Sequence, residues 1–203
     1  YRLAAEQGDG AAMAKLGEFL DYGLDIEKKI EDGMKWLQKA SETGEIFAQS
    51  ILFERYLSHN NKYFSAEKAA ELIKLAASNK KPTSMSEDTL PSVKYRYYEL
   101  LSRGYGIEKN NDEALKWLKS AADSDEGYAK IEIAYKKAVG SEFRRDYQDA
   151  SKLFEELKSD GFQVPLFYKN NLNGNENQKT NLSCTTLWKD NELLSTPPEK
   201  DFY

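Results

Sequence analysis

Apolar residues recur along most of this chain with the three- and four-residue spacing of an amphipathic helix. In the clearest stretch, positions i, i+3, i+4, i+7 and i+8 are occupied by Ala114, Trp117, Leu118, Ala121 and Ala122. A helix with 3.6 residues per turn places these side chains on one face. The pattern therefore predicts an amphipathic helix that buries this face against a neighbouring element.

The same helical stretch occurs four times, and this repetition is the most informative property of the sequence. Trp36 and Trp117 lie in closely similar segments, and Leu72 and Leu153 take the same place in two further copies. The spacings between these positions are 36, 45 and 36 residues. A recurring unit of this length indicates a stacked array, in which each unit buries its apolar face against its neighbours.

A second apolar pattern precedes each copy and predicts a partner helix, so that each repeat is a helix-turn-helix pair. In the first repeat, Ala12, Leu16, Gly17 and Leu20 carry this pattern. Glycine, which adopts left-handed backbone freely, follows three of these first helices, at Gly23, Gly104 and Gly140. We refer below to the first and second helices of each repeat.

These patterns predict an all-α chain, a right-handed α/α superhelical solenoid of about four helix-turn-helix repeats with a loop-rich C-terminal cap. The solenoid is expected to span residues 1–161. It divides into a partial unit and four full units, at residues 1–8, 11–44, 46–79, 90–125 and 127–161. The extension, 162–203, holds Trp188 and many asparagines, and we expect it to cover the apolar end of the array.

The longer step between the second and third repeats places an insertion in or near residues 79–90. Residues 80–88 lack periodicity and contain proline, serine and mixed charge, which predicts a loop. Insertions in solenoids tend to emerge on one face. The loop is either a tolerated insertion, the simpler interpretation, or an additional element that recognises a partner.

Composition excludes several classes of function. The chain has 29 Lys and Arg against 34 Asp and Glu, a net charge of −5, so we expect no nucleic-acid partner. No apolar run approaches the roughly 18 residues of a membrane span. His59 and Cys184 are the only residues of their kinds, too few for a zinc site. The sequence thus predicts no catalytic residue, no cofactor and no metal.

The chain begins in the middle of a repeat. Residues 1–8 match the second half of a unit, with Ala4 and Ala5 where Ala76 and Ala77 fall, and there is no starting methionine. We interpret the chain as a fragment whose upstream residues are missing. Its compartment is therefore left open, with a periplasmic or secreted bacterial setting as our working guess.

At this point the pattern resembles the Sel-1-like repeat, a relative of the tetratricopeptide repeat with units of about 36 residues. The residues that match its consensus in the first and third repeats are Ala12, Leu16, Gly17, Gly23, Trp36, Ala40, Gly104, Ala114, Trp117, Ala121 and Ala122. The second and fourth repeats are degenerate. The resemblance covers roughly residues 1–161.

The resemblance implies an α/α superhelix that acts as an adaptor and binds another protein without catalysing a reaction. The alternatives are a bacterial immunity or inhibitor protein that neutralises a secreted effector enzyme, a structural envelope scaffold, and an enzyme that uses carboxylates. Disulfide-stapled relatives exist, but this chain has one cysteine and should depend on packing alone.

In tetratricopeptide-like solenoids the first helices line the concave face, and this resemblance implies a binding surface. Projecting exposed positions of the first helices gives a groove rich in aromatics with a line of acids. The expected partner-binding residues are Glu18, Phe47, Glu54, Tyr95, Glu99, Tyr128, Ile131 and Tyr135. Because the line of acids is negative, we expect a partner with a basic or mixed surface. Some of these tyrosines can equally pack between helices.

A separate prediction concerns the two tryptophans of the second helices. Their place in the apolar stripe predicts that Trp36 and Trp117 are core residues and not ligand contacts.

Overall fold

The computed structural model describes residues 1–24, 26–59, 62–80, 83 and 86–162. Within these residues all regular structure is α-helical, which confirms the all-α prediction. The helices are α1 (Arg2–Glu6), α2 (Gly10–Tyr22), α3 (Ile30–Glu42), α4 (Ile46–Leu57), α5 (Ala66–Ala77), α6 (Leu90–Arg103), α7 (Asn111–Asp123), α8 (Gly127–Val139) and α9 (Tyr147–Ser159).

Successive helices pack as pairs, α2 with α3, α4 with α5, α6 with α7 and α8 with α9. The chain forms two compact units, Tyr1–Glu126 and Gly127–Tyr203. The first holds α1 to α7 and the second holds α8 and α9. This is the predicted all-α repeat fold, while its right-handed sense and its division into numbered repeats stay predictions. The predicted cap lies outside the described residues, apart from Phe162.

Short polar side chains begin several helices. A side-chain oxygen of the residue before the helix accepts a hydrogen bond from the backbone N–H three residues on, which satisfies a donor that the helix leaves free. The four residues that cap in this way are Asp9, Ser65, Asn110 and Asp146. At the other end of α2, Gly23 has φ of 76°, a left-handed conformation that glycine adopts without strain.

Glycine also sets the distance between α2 and α3. A Cβ added to Gly33 would lie 2.7 Å from the backbone nitrogen of Asp21 and 2.8 Å from the carbonyl oxygen of Gly17. A Cβ added to Gly17 would lie 2.7 Å from the Leu37 side chain. The two helices therefore cross at a contact that only glycine permits.

The second helices bury the same position in every pair, and it is the residue after the tryptophan position. Leu37, Ile73, Leu118 and Phe154 are at most 1% exposed. Alanines one turn away, such as Ala121, are equally buried. These residues form the centre of the apolar stripe.

Trp36 and Trp117 are only half-buried, so the prediction that they are core residues is wrong in degree. The reason is helical geometry, because the tryptophan lies one residue off the centre of the stripe and reaches its flank. The Trp117 ring meets Tyr97 edge-on at 5.2 Å, and its Nε1 donates to Glu113 at 3.5 Å.

The described residues of the insertion between α5 and α6 form hydrogen bonds to the rest of the fold. Thr83 Oγ1 donates to the Glu45 carboxylate at 3.1 Å, and the Ser86 hydroxyl donates to the same carboxylate. Asn79 Nδ2 donates to the Gly44 carbonyl at 3.0 Å. Glu45 and Ser86 are buried. At these points the insertion is held against the turn between α3 and α4.

Candidate functional site

The first helices of the first unit, α2, α4 and α6, carry side chains that meet across helix boundaries. The Lys15 ammonium on α2 lies 4.3 Å from the ring centroid of Phe47 on α4. The Arg55 guanidinium on α4 donates to Asp21 on α2. Glu54 on α4 interacts electrostatically with Arg96 on α6. We call the surface formed by these side chains of α2, α4 and α6 the first-helix face.

Four of the five predicted site residues in this unit, Glu18, Phe47, Glu54 and Glu99, are partly exposed on these helices. Tyr95 is not, because it is 7% exposed and its ring packs on Tyr98 at 5.6 Å between centroids. The prediction that Tyr95 is available to a partner is therefore wrong for the chain as it stands.

The misassignment of Tyr95 has a physical reason. Its repeat position lies two residues before the apolar residue that marks each first helix, at the boundary between the packed interior and the surface. Ala14, at the same position in the first repeat, is fully buried. A side chain at this boundary packs inward when the neighbouring helices leave space for it.

The predicted residues in the second unit form a separate group. Ile131 is buried in a cluster with Ala150 and Phe154 of α9, so the prediction that it is exposed is wrong. It lies on the side of α8 that packs against α9. Tyr135 packs against the same cluster while half-exposed. Tyr128 is exposed and meets Phe162 edge-on at 6.0 Å.

Two acids of the line on the first-helix face, Glu18 and Glu99, are paired with bases within the fold. Glu18 accepts from Lys15 at 2.8 Å. Glu99 pairs with Arg96 at 3.1 Å and with Arg103 at 3.8 Å. These bases lie three or four residues from their acids on the same helix, which is the spacing that brings side chains together.

A buried ion pair adds to this balance. Asp21 is fully buried, and Arg55 reaches its Oδ2 from Nε at 2.7 Å and from Nη2 at 2.5 Å. The pair joins α2 to α4. Two charges removed from water in this way must stay paired, because either one alone is costly to bury.

Glu54 differs from the other acids of the first-helix face. It is half-buried, and among the described residues no group donates a hydrogen bond to its carboxylate or forms an ion pair with it within 4 Å. Burial raises the pKa of the Glu54 carboxyl above its ordinary value, Arg96 lowers it in part, and Glu99 raises it further. Its charge is therefore poorly compensated within the fold.

Sequence reasoning missed three residues of this surface, Tyr22, Arg55 and Arg96. Tyr22 is 48% exposed at the end of α2, and the Arg55 guanidinium lies 5.5 Å from its ring centroid. The available signal was helical spacing, since Tyr22 comes four residues after Glu18 and Arg96 three residues before Glu99. The positions projected onto the surface of each first helix did not include these three residues.

The second helices carry open depressions beside the tryptophans. One, of about 550 Å³, is lined in part by Trp36, Asp32 and Lys39, and the Lys39 ammonium lies 4.7 Å from the Trp36 ring centroid. Another, of about 630 Å³, is lined in part by Trp117 and Glu113. Both mix apolar and charged groups without an arrangement typical of catalysis.

The described part of the chain offers neither a metal site nor a membrane span. It contains no group of three or more His, Cys, Asp or Glu side chains that could hold a metal ion. None of its helices is both long and apolar enough to cross a membrane.

Comparison with known proteins shows which family the chain resembles. A family model described as the Sel1 repeat matches residues 1–9, 10–44 and 97–126. Over these residues the resemblance to the Sel-1-like repeat family that the sequence predicted is confirmed. A search of curated proteins gave no significant match. Sel1 folds are commonly protein–protein interaction scaffolds and are generally non-enzymatic.

Two solved structures are similar to this one. The crystal structure of a Sel1 repeat protein from Oxalobacter formigenes has a TM-score of 0.68 and 25% identity, over 81% of this chain and 62% of that one. A protective antigen present in uropathogenic Escherichia coli strains, displaying an SLR fold, has a TM-score of 0.65 and 25% identity, over 85% of this chain and 35% of that one. The chain described here thus spans about three fifths and one third of their lengths.

Proposed function

We propose that this Sel1-repeat chain is an adaptor that binds another protein through the first-helix face of its first unit, without catalysis. The observation that supports the proposal is the set of partly exposed residues on adjoining helices, with Tyr22, Phe47 and Glu54 as its principal contacts. Aromatic side chains are favoured at interfaces because they give a large contact area at low entropic cost.

The charges of the first-helix face favour a partner of mixed character over a strongly basic one. Glu18, Asp21 and Glu99 each have a basic neighbour, so a partner gains little by supplying a base for each of them. A basic group that a partner brings near acids already paired in this way acts mainly on the rate of encounter. The contact energy would then come chiefly from the aromatic side chains and Glu54.

An immunity function is a special case of this proposal, in which the partner is a secreted effector enzyme. Stoichiometric binding and inhibition of such an enzyme would distinguish it from a general adaptor. A carboxylate-dependent enzyme is the lesser alternative, and turnover that disappears on changing one carboxylate of the first-helix face would favour it.

The proposal is tested with the full 203-residue chain and peptides selected on it from a display library of short random sequences. Binding of the selected peptides is measured by calorimetry to the parent chain and to Phe47→Ala and Tyr22→Ala variants. Loss of a partly desolvated aromatic contact should weaken binding by about tenfold or more.

The matched control is Leu75→Ala, which removes a large apolar side chain that is 57% exposed on the second helix α5. It should leave binding unchanged. If Leu75→Ala weakened binding while Phe47→Ala and Tyr22→Ala did not, the first-helix face would be the wrong surface. Circular dichroism of each variant establishes that it is folded.

A further inference from the structure

One carboxylate of the first-helix face, that of Glu54, differs from the others in its charge pairing. Lys15 is engaged by Glu18, Arg55 by Asp21, and Arg96 and Arg103 by Glu99. Each of these acids therefore has a base within the fold. Of the four acids Glu18, Asp21, Glu54 and Glu99, only Glu54 has no ion pair within the described residues. It is half-buried on α4, where Arg96 and Glu99 of α6 act on it electrostatically.

We propose that Glu54 is the receptor for a single lysine or arginine side chain of the partner protein. The inference rests on the proposed function, because it assigns the partner's chemistry at that same surface. It makes Glu54 the residue that determines specificity and leaves Glu18 and Glu99 as internal pairs.

Physical chemistry favours a cation at this position over a neutral donor. A carboxylate that is partly removed from water loses hydration, and the loss is recovered only by a strong partner. Hydrogen bonds between two charged groups are about twice as strong as those between neutral groups. Arg96 acts on Glu54 electrostatically, but its ion pair within 4 Å is with Glu99 and not with Glu54.

The surroundings of Glu54 also suit a long basic side chain. Burial is the main cause of the raised pKa of the Tyr22 hydroxyl on α2, Arg55 opposes the shift, and Asp21 and Glu54 add to it. The half-exposed ring of Tyr22 offers an apolar wall to the methylene stem of a lysine or arginine. Since the other acids of the face are neutralised, one cation flanked by apolar residues matches it better than a run of basic residues.

The inference is tested on the peptides selected against the full chain. We expect these peptides to share one lysine or arginine, and replacing it with norleucine should weaken binding by about tenfold or more. Glu54→Gln should weaken binding of the parent peptide by a similar factor. With the norleucine peptide, Glu54→Gln should have little further effect, because the pair would already be broken.

Glu18→Gln is the matched control, because Glu18 is a carboxylate on the same face that has its own lysine. It should change affinity less than about twofold, as expected for an exposed pair. If Glu18→Gln weakened binding as much as Glu54→Gln, a diffuse negative field would explain recognition and the inference would be overturned.

A second readout does not depend on any variant. Carbon-detected NMR follows the titration of the Glu54 carboxyl in the free chain and with bound peptide. The charged groups that act on it are Arg96 and Glu99 of α6. A cation bound at Glu54 should lower its pKa, whereas an unchanged pKa in the complex would contradict the inference.

Failure of this inference and failure of the proposed function give different results. If Phe47→Ala weakened binding while norleucine and Glu54→Gln did not, the first-helix face would bind peptides without a cation at Glu54. If neither Phe47→Ala nor Tyr22→Ala had an effect, the proposed function itself would fail, and this inference with it.

Discussion

The second helices bury the same kind of residue in every pair, whereas the first helices differ from one pair to the next. Leu37, Ile73, Leu118 and Phe154 fill equivalent buried positions. At one equivalent position of the first helices, the chain has Ala14, Ser50, Tyr95 and Ile131. All of these first-helix residues except Ser50 are buried, so the first helices fill the interior at this position with side chains of very different size, while the second helices fill theirs with a large apolar side chain each time.

The largest effect should come from the centre of the buried stripe. Leu118→Ala removes a fully buried side chain and should lower the free energy of unfolding by about 2–5 kcal/mol. Urea denaturation measures the change. Leu75→Ala, on the exposed side of another second helix, should cost less than about 0.5 kcal/mol. Equal losses from the two variants would contradict the assigned helical register.

The buried ion pair between the first helices should come next. Arg55→Met leaves the Asp21 carboxylate buried without its base, and we expect a loss of about 2–3 kcal/mol, less than for a wholly buried pair. Lys15→Met opens a more exposed pair and should cost less than about 1 kcal/mol. Similar losses from both variants would show that the burial of Asp21 does not make its pair with Arg55 more important for stability than the more exposed pair.

Truncating the half-buried tryptophan should have a smaller effect than truncating its buried neighbour. Trp117→Ala removes a half-buried ring that packs edge-on against Tyr97, and should cost about 2 kcal/mol, below the range for a fully buried tryptophan. Thermal unfolding followed by circular dichroism measures it. If Trp117→Ala proved costlier than Leu118→Ala, the tryptophan would be the centre of the stripe after all.

The smallest effect concerns Glu54 and pH. Because its pKa is raised in the folded chain, the folded state binds a proton more tightly than the unfolded state does. Stability from this group is therefore present at low pH and declines as pH rises from the ordinary glutamate pKa through the raised one. Glu54→Gln should gain stability relative to the parent chain on going from pH 4 to pH 7. A constant difference across this range would contradict the raised pKa.

The repeat architecture could be predicted because stacking imposes a strict periodicity on the sequence. Trp36 and Trp117 marked the second helices correctly, although the buried centre lies at the next residue. Periodicity locates a stripe to within one position, and a large aromatic at its flank resembles a core residue in sequence.

The candidate site was harder to predict, because exposure and pairing depend on neighbouring helices. Tyr95 and Ile131 stand at projected surface positions yet pack inward. Glu18 and Glu99 are correctly on the surface, but their basic neighbours remove the negative line inferred from acids alone. Glu54 is distinguished by the absence of an ion-pair partner among the described residues. The spacing of residues in the sequence does not reveal such an absence.

The central claim is that the first-helix face, and not the second helices, binds the partner. Amide chemical shifts recorded while a selected peptide is added to the isotope-labelled chain test it most directly. The account predicts that the largest shifts fall on residues of α2 and α4 around Tyr22, Phe47 and Glu54. Shifts centred instead on Trp36 and Trp117 of the second helices would contradict it.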